Sequence, residues 1–221
     1  METATLTESR SIPYHKIFGP FKRETDRESP DYNNLLIGHW TTPEFAYLAN
    51  NEWIWTEKVD GTNVRVHWDG VDVHFAGRTN KAQLPERLTN RLAELFPESL
   101  LEQTFGARPV TLYGEGYGGK IQKGGNYRPD EDFILFDIRI GDWWLKFDDV
   151  TDISASLMVE VVPQISVESV WEAIYRVEKG VESRVAGNGF EAEGLVGVPA
   201  VPLTARNGDR IVMKVKAVDF R

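Results

Sequence analysis

Cysteine is absent from this 221-residue sequence, which excludes disulfide bonds, thiolate metal sites and a cysteine nucleophile. Long hydrophobic runs are also missing, and the polar start of the chain lacks the pattern of a secretion signal. Positive charge is in deficit, since 25 basic residues against 34 acidic residues give a formal net charge of −9. These absences predict a soluble, cytoplasmic protein without a membrane partner, in which any nucleic acid is held by a local basic site or a bound cation.

The residues that are present have the balance of one well-packed unit. Hydrophobic residues make up 41% of the sequence and charged residues 27%, and we find no internal repeat and no low-complexity tract. A chain of this length is long enough to bury a sizeable core. We therefore expect a flexible tail over residues 1–10 and a single domain over 11–221.

Hydrophobic periodicity and turn residues predict a mixture of helices and antiparallel hairpins. Hairpins are expected at Asp69-Gly70 and Asn207-Gly208, because such dipeptides favour tight turns between strands. The mixture predicts an α+β fold. The predicted helices are 45–49 behind an N-cap at Thr42, 84–96 and 166–179, and further predicted strands are 110–113, 133–140 and 143–147.

The first hairpin has a predicted register. A two-residue turn at 69–70 pairs Val64 with Phe75 and collects apolar side chains on one face of the hairpin. The same register places Arg78 opposite Gly61. Arg78 would then lie near Lys58, and the sequence places no acidic residue to pair with these two cations. Two converging cations without such a partner favour a bound anion.

Residues 114–120 match two phosphate-binding patterns, and neither has its structural context. A dinucleotide fingerprint must open a helix, which the glycine-containing sequence at 121–126 does not favour. A P-loop needs a serine or threonine after its lysine, where this chain has Ile121. We interpret the stretch as a strand that ends in a flexible turn.

Six short motifs, taken together and in order, are far more specific than any one of them. They are Lys-Val-Asp-Gly-Thr-Asn at 58–63, Gly-Arg-Thr at 77–79, Tyr-Gly-Glu at 113–115, Phe-Ile-Leu-Phe-Asp-Ile at 133–138, Glu-Gly-Leu-Val at 193–196 and Lys-Val-Lys at 214–216. This set resembles the covalent nucleotidyltransferase superfamily of polynucleotide ligases and mRNA capping enzymes. Asn63 and the run at 119–123 are similar to the bacteriophage-type, nick-sealing RNA ligases, since DNA ligases and capping enzymes usually carry arginine at the Asn63 position.

The resemblance implies a fold and an activity. The fold is a ligase-type nucleotidyltransferase domain, with antiparallel sheets flanking an ATP cleft and a few peripheral helices. The activity is that of an ATP-dependent RNA ligase, which forms a covalent lysyl-AMP intermediate and seals 5′-phosphate to 3′-hydroxyl ends of RNA or of a nicked duplex. ATP and Mg²⁺, or Mn²⁺ in its place, are the implied cofactors.

The resemblance also assigns the catalytic residues. Lys58 is the nucleophile, and a lysine attacks only as the neutral amine. Lys214 and Lys216 lie two residues apart on a predicted strand, so they share a face and are able to grip phosphates while favouring neutral Lys58. An ordinary exposed strand face is the alternative interpretation of that pair. Glu193 is assigned to the metal ion.

Nucleotide contacts are implied for five further residues. By resemblance, Glu57 recognises the adenine amino group, Glu115 contacts the ribose hydroxyl and Phe136 stacks on adenine. Arg78 is assigned to the ribose and phosphates, and Asn63 completes the lysine motif. Two alternatives stay open, since alternation also makes Phe136 an ordinary core aromatic and Asn63 is suited to stabilise a turn.

A short basic segment offers a local site for RNA in an acidic protein. Residues 111–128 contain Lys120, Lys123 and Arg128 against one acid, Glu115. Such a segment either binds a few phosphates with strong salt dependence or is a solvated glycine-rich loop.

The sequence departs from the family pattern after Lys216, where we expect no C-terminal OB or helical domain. A separate protein is one candidate source of the missing function in the later sealing steps, and the sequence leaves that question open. Two other interpretations remain: a minimal DNA ligase, and a nucleotide-binding or RNA-binding module without catalysis.

Overall fold

The computed structural model of the chain describes residues 11–187 and 189–220, so the tail predicted for residues 1–10 lies outside the described part. The strands are β1 Phe21–Arg23, β2 Leu35–Trp40, β3 Trp53–Lys58, β4 Thr62–Trp68, β5 Val73–Gly77, β6 Val110–Tyr117, β7 Asp132–Ile140, β8 Trp143–Trp144, β9 Glu160–Val161, β10 Gln164–Glu168, β11 Gly194–Pro199 and β12 Met213–Lys216. The α-helices are α1 Pro43–Leu48, α2 Glu86–Leu95, α3 Glu98–Phe105, α4 Phe147–Leu157 and α5 Val170–Lys179.

The chain divides into two compact units, and each is built on its own sheet. The first unit contains residues 11–15 and 60–162, and the second contains residues 16–59 and 163–220. Strand pairing is antiparallel apart from the short parallel contact of β9 with β7 and an isolated bridge between Phe18 and Met213. The predicted α+β class is therefore confirmed, whereas the single domain over 11–221 stays a prediction.

The first unit is a sheet with strand order β5-β4-β6-β7-β8, to which β9 adds beside β7. Alternating apolar residues on β4, among them Val64 and Val66, face helices α2, α3 and α4 across a fully buried cluster. Leu92 of α2 and Leu101 of α3 lie in the same cluster and are inaccessible to solvent. Full burial of an aliphatic side chain contributes about 1.5–3 kcal/mol, so the core fixes this face of the sheet firmly.

The β4–β5 hairpin has the predicted faces in a different register. Val66 pairs with Phe75, where a two-residue turn would pair it with Val73. The cause is a four-residue loop, 69–72, in which the Asp69 carboxylate accepts hydrogen bonds from the backbone of Val71 and Asp72. The shift equals one full side-chain period, so the apolar face is unchanged.

The second unit contains a sheet with strand order β10-β3-β11-β12 and a small sheet of β1 and β2. Trp53 and Trp55 of β3 are fully buried in a cluster that also contains Val170 and Ile174 of α5. Both indoles donate to backbone carbonyls, Trp53 to Leu48 at 2.9 Å and Trp55 to Glu168 at 3.1 Å. A buried indole N–H requires such a partner, so these two bonds help to hold β3 against the apolar cluster.

Helix positions agree with the periodicity more closely than helix limits. The Thr42 cap of α1 is confirmed by a 3.2 Å bond from the Phe45 N–H to the threonine hydroxyl. The helix predicted over 166–179 is α5, which begins at Val170 after a capping box formed by Ser169 and Glu172. The preceding residues belong to β10, where the Glu168 carbonyl is already bonded to Trp55.

Other boundaries were less accurate. The helix predicted over 84–96 is α2, and α3 follows it directly without having been predicted. The strand predicted over 143–147 is shorter, because Phe147 begins α4. The turn at Asn207-Gly208 is present, but it closes a single bridge, and β12 pairs instead with β11. Within the described residues, no helix has the length and apolar character needed to cross a membrane.

Candidate functional site

Three strands of the second unit bring two of the predicted lysines into one row. Gly194 of β11 pairs with Lys58 of β3 on one side and with Lys216 of β12 on the other. Residues at the same register position share a face of the sheet. Their neighbours Leu195 and Val215 lie in the apolar cluster on the opposite face. The alternation that buries one face therefore leaves both lysines on the other.

Glu193, the residue before this row, joins the two lysines. The Lys58 Nζ lies 2.5 Å from Glu193 Oε2, and the Lys216 Nζ lies 2.7 Å from Glu193 Oε1. The Glu193 side chain is 16% exposed, against 23% for Lys58 and 31% for Lys216. Burial raises the pKa of Glu193, but the two lysine charges and the hydrogen bonds that they donate outweigh it and hold that pKa below its ordinary value. The carboxylate is thus a charged bridge.

Gly194 makes this arrangement possible. Its φ of +152° and the closeness of β12 exclude a side chain, since a Cβ on Gly194 would lie 2.0 Å from the Val215 carbonyl oxygen. The start of β11 therefore approaches β12 closely at Gly194. The Glu193 carbonyl accepts a 2.9 Å hydrogen bond from the Ala217 N–H. Glu193 is held at the end of the ladder between the two lysines.

Lys214 lies two register positions further along the sheet, on the same face. It pairs with Val196, which in turn pairs with Thr56 of β3. Its side chain is half-buried, and its backbone N–H donates to the Phe18 carbonyl at 2.9 Å. The spacing that predicted a shared face for Lys214 and Lys216 agrees with the observed strand.

Glu57 points to the other face of the sheet. Its side chain is buried, and its carboxylate accepts hydrogen bonds from the Ser183 hydroxyl at 2.5 Å and from the backbone N–H groups of Arg184 at 2.8 Å and Val185 at 3.3 Å. The carboxylate therefore anchors the turn at 183–185. Sequence reasoning missed Ser183, which lies in none of the six motifs.

The first unit carries Asn63 and Glu115 as a cross-strand pair between β4 and β6. The Asn63 Oδ1 atom is buried and, among the described residues, has no hydrogen-bond partner. A buried acceptor without a donor costs about 1–3 kcal/mol. Such an atom is therefore available to a donor group of a ligand.

Phe136 lies at an irregularity of β7. Tyr113 pairs with Asp137 and the next residue of β6, Gly114, pairs with Leu135, so Phe136 is left as the extra residue of a β-bulge. Leu135 points into the helix-covered core, whereas Phe136 is half-buried outside that core. The bulge therefore interrupts the simple alternation that would place Phe136 among the core aromatics.

Tyr14 covers part of the Phe136 ring. The two ring centroids are 5.1 Å apart with an interplanar angle of 75°, and the Tyr14 hydroxyl donates to Asp137 at 2.8 Å. This edge contact fixes one side of Phe136. Sequence reasoning did not identify Tyr14.

Arg78 follows the last pair of the β4–β5 ladder, which joins Val64 and Gly77. Its predicted position opposite Gly61 was wrong, for the reason given by the four-residue hairpin loop. The Arg78 side chain is exposed, and no described residue forms a hydrogen bond or ion pair with it.

The glycine-rich stretch after β6 forms a tight turn. A Cβ on Gly124 would lie 2.3 Å from the Gly118 carbonyl oxygen, so the two segments approach at backbone distance. Arg128 of this turn is bonded to Asp132, whereas Lys120 and Lys123 are exposed. The interpretation as a strand ending in a turn agrees with this geometry, and two cations remain at the surface.

Carboxylates do not cluster into a metal cage in this part of the chain. Over residues 11–187 and 189–220, no group of three or more His, Cys, Asp or Glu side chains is placed to hold a metal ion. Glu193 is thus a single charged carboxylate set between lysines. One carboxylate with several waters and phosphate oxygens is an arrangement that suits Mg²⁺.

Comparison with protein families decides the kinship of this sequence. Residues 51–216 match the RNA ligase family, and this span contains all six motifs. The chain belongs to the RNA ligase family. Among proteins of curated function, the comparison finds no match.

Solved structures of an RNA ligase from Naegleria gruberi share the fold of this RNA ligase family member. An apo variant has a TM-score of 0.63 and 18% identity, over 80% of this chain and 53% of that chain. A variant with ATP and Mn has a TM-score of 0.62 and 17% identity, over 80% and 54%. The complex with PPi has a TM-score of 0.62 and 19% identity, over 79% and 52%. The chain spans about half the length of these structures.

Proposed function

We propose that the chain is an ATP-dependent RNA ligase whose nucleophile is Lys58. The observation that carries this proposal is the charged row of the second unit, where Glu193 bridges Lys58 and Lys216 beside Gly194. A half-buried lysine held by one carboxylate and accompanied by a second cation suits attack on a polyphosphate. Membership of the RNA ligase family supports the same assignment.

The first step is transfer of AMP from ATP to the lysine. The Lys58 Nζ attacks the α-phosphorus, the bond between the α-phosphorus and the bridging oxygen breaks, and pyrophosphate leaves with that electron pair. The attacking amine must be neutral and free to reach the phosphorus, whereas the Lys58 Nζ is bonded to Glu193. Attack therefore requires Lys58 to leave Glu193 and to lose a proton.

Lys216 and Lys214 are assigned to the phosphates. Both lie on the face of Lys58, and Lys216 is already at the same row of the sheet. Positive side chains at fixed positions stabilise the charge that builds up on the departing pyrophosphate.

Glu193 is the residue that would hold Mg²⁺, or Mn²⁺ in its place. Its carboxylate is charged and half-buried, and Mg²⁺ in nucleotide sites is commonly bound by one or two carboxylates together with water and phosphate oxygens. When bound, such an ion neutralises charge on the phosphates. A bound cation at Glu193 would also replace the lysines as its counter-ion.

Contacts to the nucleoside are assigned to the first unit. Phe136 stacks on adenine from the bulge, Glu115 contacts the ribose hydroxyl, and Arg78 reaches the ribose and phosphates. Asn63 offers its buried, unpartnered oxygen to a ligand donor. Glu57 of the second unit is assigned to adenine by the family resemblance, and binding adenine there would require its carboxylate to exchange one of its three protein donors, the Ser183 hydroxyl or the Arg184 and Val185 N–H groups.

Two further reactions complete the sealing. The 5′-phosphate of RNA attacks the lysyl-AMP phosphorus and releases the Lys58 amine, which gives an adenylylated RNA end. The 3′-hydroxyl then attacks the RNA phosphorus, and AMP leaves as the phosphodiester forms. We place these reactions in the cytoplasm, where cell fractionation should recover the protein.

The test of the proposal is incubation with ATP labelled at the α-phosphate. We expect label that stays on the protein through denaturation and is released by added pyrophosphate. Lys58→Ala should carry none, whereas Lys22→Ala, an exposed lysine of β1, should be labelled normally. Label retained by Lys58→Ala would refute the assignment.

The RNA preference is tested separately with nicked duplexes. The strand that ends in the 3′-hydroxyl is made of RNA in one substrate and of DNA in the other. We expect sealing of the RNA substrate, and faster sealing of the DNA substrate would favour a minimal DNA ligase.

A further inference from the structure

Arg65 is a buried cation in the middle of β4. Its side chain is inaccessible to solvent, and no described carboxylate forms an ion pair with it. Burial lowers the pKa of Arg65, with the neighbouring Tyr113 acting in the opposite direction. A buried charge without a counter-ion is unfavourable unless its hydrogen bonds are satisfied. The hydrogen-bond partners of the Arg65 guanidinium therefore identify the segments of the chain that Arg65 supports.

Three sets of bonds surround the guanidinium. Nε donates to the Gly77 carbonyl at 2.9 Å, and Nη2 donates to the Asn80 Oδ1 at 2.8 Å. Nη1 donates to the Ser11 carbonyl at 2.8 Å and to its hydroxyl at 3.0 Å. Two of the partners, Gly77 and Asn80, lie on either side of Arg78 in the sequence. Arg65 thus holds both ends of the short segment that carries Arg78.

Arg78 depends on that segment for its placement. Its own side chain is exposed and has no partner among the described residues, and the β4–β5 ladder has already ended at Gly77. A side chain without contacts of its own is positioned only as well as its backbone is. The buried guanidinium supplies this support from a rigid central strand.

We propose that Arg65 is a positioning residue for nucleotide binding, which acts by fixing the 77–80 segment and hence Arg78. This inference rests on the proposed function, because it takes Arg78 as a contact to ATP. Arg65 lies outside the six motifs. Its role in nucleotide binding would explain why a charged side chain, and not an apolar one, occupies this buried position.

Asn80 gives access to this role without a change in the core. Arg65→Ala would leave a cavity in the central strand and is expected to unfold the unit, so it does not separate the two roles. Asn80 is exposed, and Asn80→Ala removes one acceptor from the guanidinium. Ser11→Ala is the matched control, since it removes the hydroxyl acceptor from the same guanidinium and leaves the 77–80 segment unchanged.

The experiment measures the KM for ATP and the maximal rate of lysyl-AMP formation in the full chain. We expect Asn80→Ala to raise the KM about 2- to 10-fold, the range for one lost hydrogen bond, with the maximal rate nearly unchanged. Asn80→Asp keeps an acceptor and should restore the KM. Ser11→Ala should leave the KM unchanged, although both alanine variants lose similar thermal stability.

A double-mutant cycle shows whether the effect passes through Arg78. Arg78→Ala should raise the KM, and adding Asn80→Ala to it should raise the KM no further, because the positioned group is gone. Additive effects of the two substitutions, an equal rise of the KM in Ser11→Ala, or an unchanged KM in Asn80→Ala would overturn the inference. The proposed function would stand in each of these cases as long as the wild type forms lysyl-AMP. Absence of lysyl-AMP in the wild type would overturn both.

Discussion

The two units present their candidate residues in different ways. In the second unit, Lys58, Lys216 and Lys214 lie on regular rows of paired strands, with Glu193 at the end of one row. In the first unit, Phe136 lies in a bulge and Arg78 follows the end of a ladder. On a regularly paired strand, the backbone hydrogen bonds fix the position from which a side chain extends. At a bulge or after the end of a ladder, contacts from other side chains must supply that support.

The same difference appears in the charges. Two lysines of the second unit, Lys58 and Lys216, share one carboxylate partner in Glu193, which offsets one of their two positive charges. In the first unit, Asn63 keeps a buried acceptor without a donor, and Arg78 has no described partner. We infer that ligand binding in the second unit replaces existing ion pairs, since Lys58 and Lys216 would exchange Glu193 for the ligand. In the first unit, Asn63 and Arg78 would gain partners that they do not have in the protein alone.

The largest effect should come from removing a charge in the regular row. Lys216→Ala should reduce the rate of lysyl-AMP formation by about 100-fold or more, since a fixed charge that stabilises a developing anion contributes on this scale. Its free energy of unfolding should change by less than about 1 kcal/mol, because half-exposed ion pairs contribute little. Initial rates of α-label incorporation and urea unfolding measure the two effects.

Lys22→Ala is the control for the loss of one positive charge and should retain the wild-type rate. A Lys216→Ala variant that is unfolded, or that is folded and fully active, would support the interpretation of the lysines as an ordinary strand face.

The bulged ring should show an intermediate effect that separates its two interpretations. Phe136→Ala should raise the KM for ATP about 10-fold, because stacking of a base on an aromatic ring contributes about 1–3 kcal/mol. Phe136→Tyr keeps the ring and should keep the KM. If Phe136 were a core aromatic, Phe136→Ala would instead cost about 3–5 kcal/mol of stability. Steady-state kinetics and thermal unfolding of the same samples decide between them.

A smaller effect is expected from acid, through Glu193. The pKa of Glu193 is lower in the folded state than its ordinary value, so its ion pairs stabilise the fold at neutral pH and this contribution is lost as pH falls through the folded value. Glu193→Gln should therefore lose less stability than the wild type between pH 7 and acidic pH. Urea unfolding at both pH values measures this difference, and equal losses would contradict the charged bridge.

The smallest effect is expected away from both sets of candidate residues. The pKa of Asp69 is lowered to about 2, chiefly by the hydrogen bond from the Asp72 backbone, with burial acting against it and bonds from His74 and Val71 adding to it. Asp69→Ala should cost about 1 kcal/mol of stability, and lysyl-AMP formation should keep its rate. The wild-type contribution is present above the ordinary carboxyl value and lost as pH falls toward 2. Unchanged stability in the variant would contradict the hydrogen-bonded loop.

Sequence patterns predicted the faces of the sheets better than the details of pairing. Strict alternation placed Val64 and Val66 on the core face, and this survived a wrong turn length because the register moved by a full period. The shared face of Lys214 and Lys216 also follows from alternation. Element ends depended on local bonds, such as the Asp69 carboxylate in the hairpin loop, which composition does not specify.

Other features of the candidate site were outside the reach of sequence patterns. A β-bulge at Phe136 adds one residue to β7 and has no fixed dipeptide signal here. Arg65 and Ser183 act through partners distant in sequence, so neither carries a motif. The bridge from Glu193 to Lys58 joins residues 135 positions apart and follows only from the pairing of β3 with β11.

The most direct test of the account is to locate AMP on the protein. The wild-type chain is incubated with ATP and a divalent cation, digested, and analysed by peptide mass spectrometry. We expect one adenylyl group, on the Lys58 side chain, and its loss when pyrophosphate is added. An adenylyl group on Lys214, Lys216 or another residue, or none at all, would contradict the assignment of Lys58 as the nucleophile.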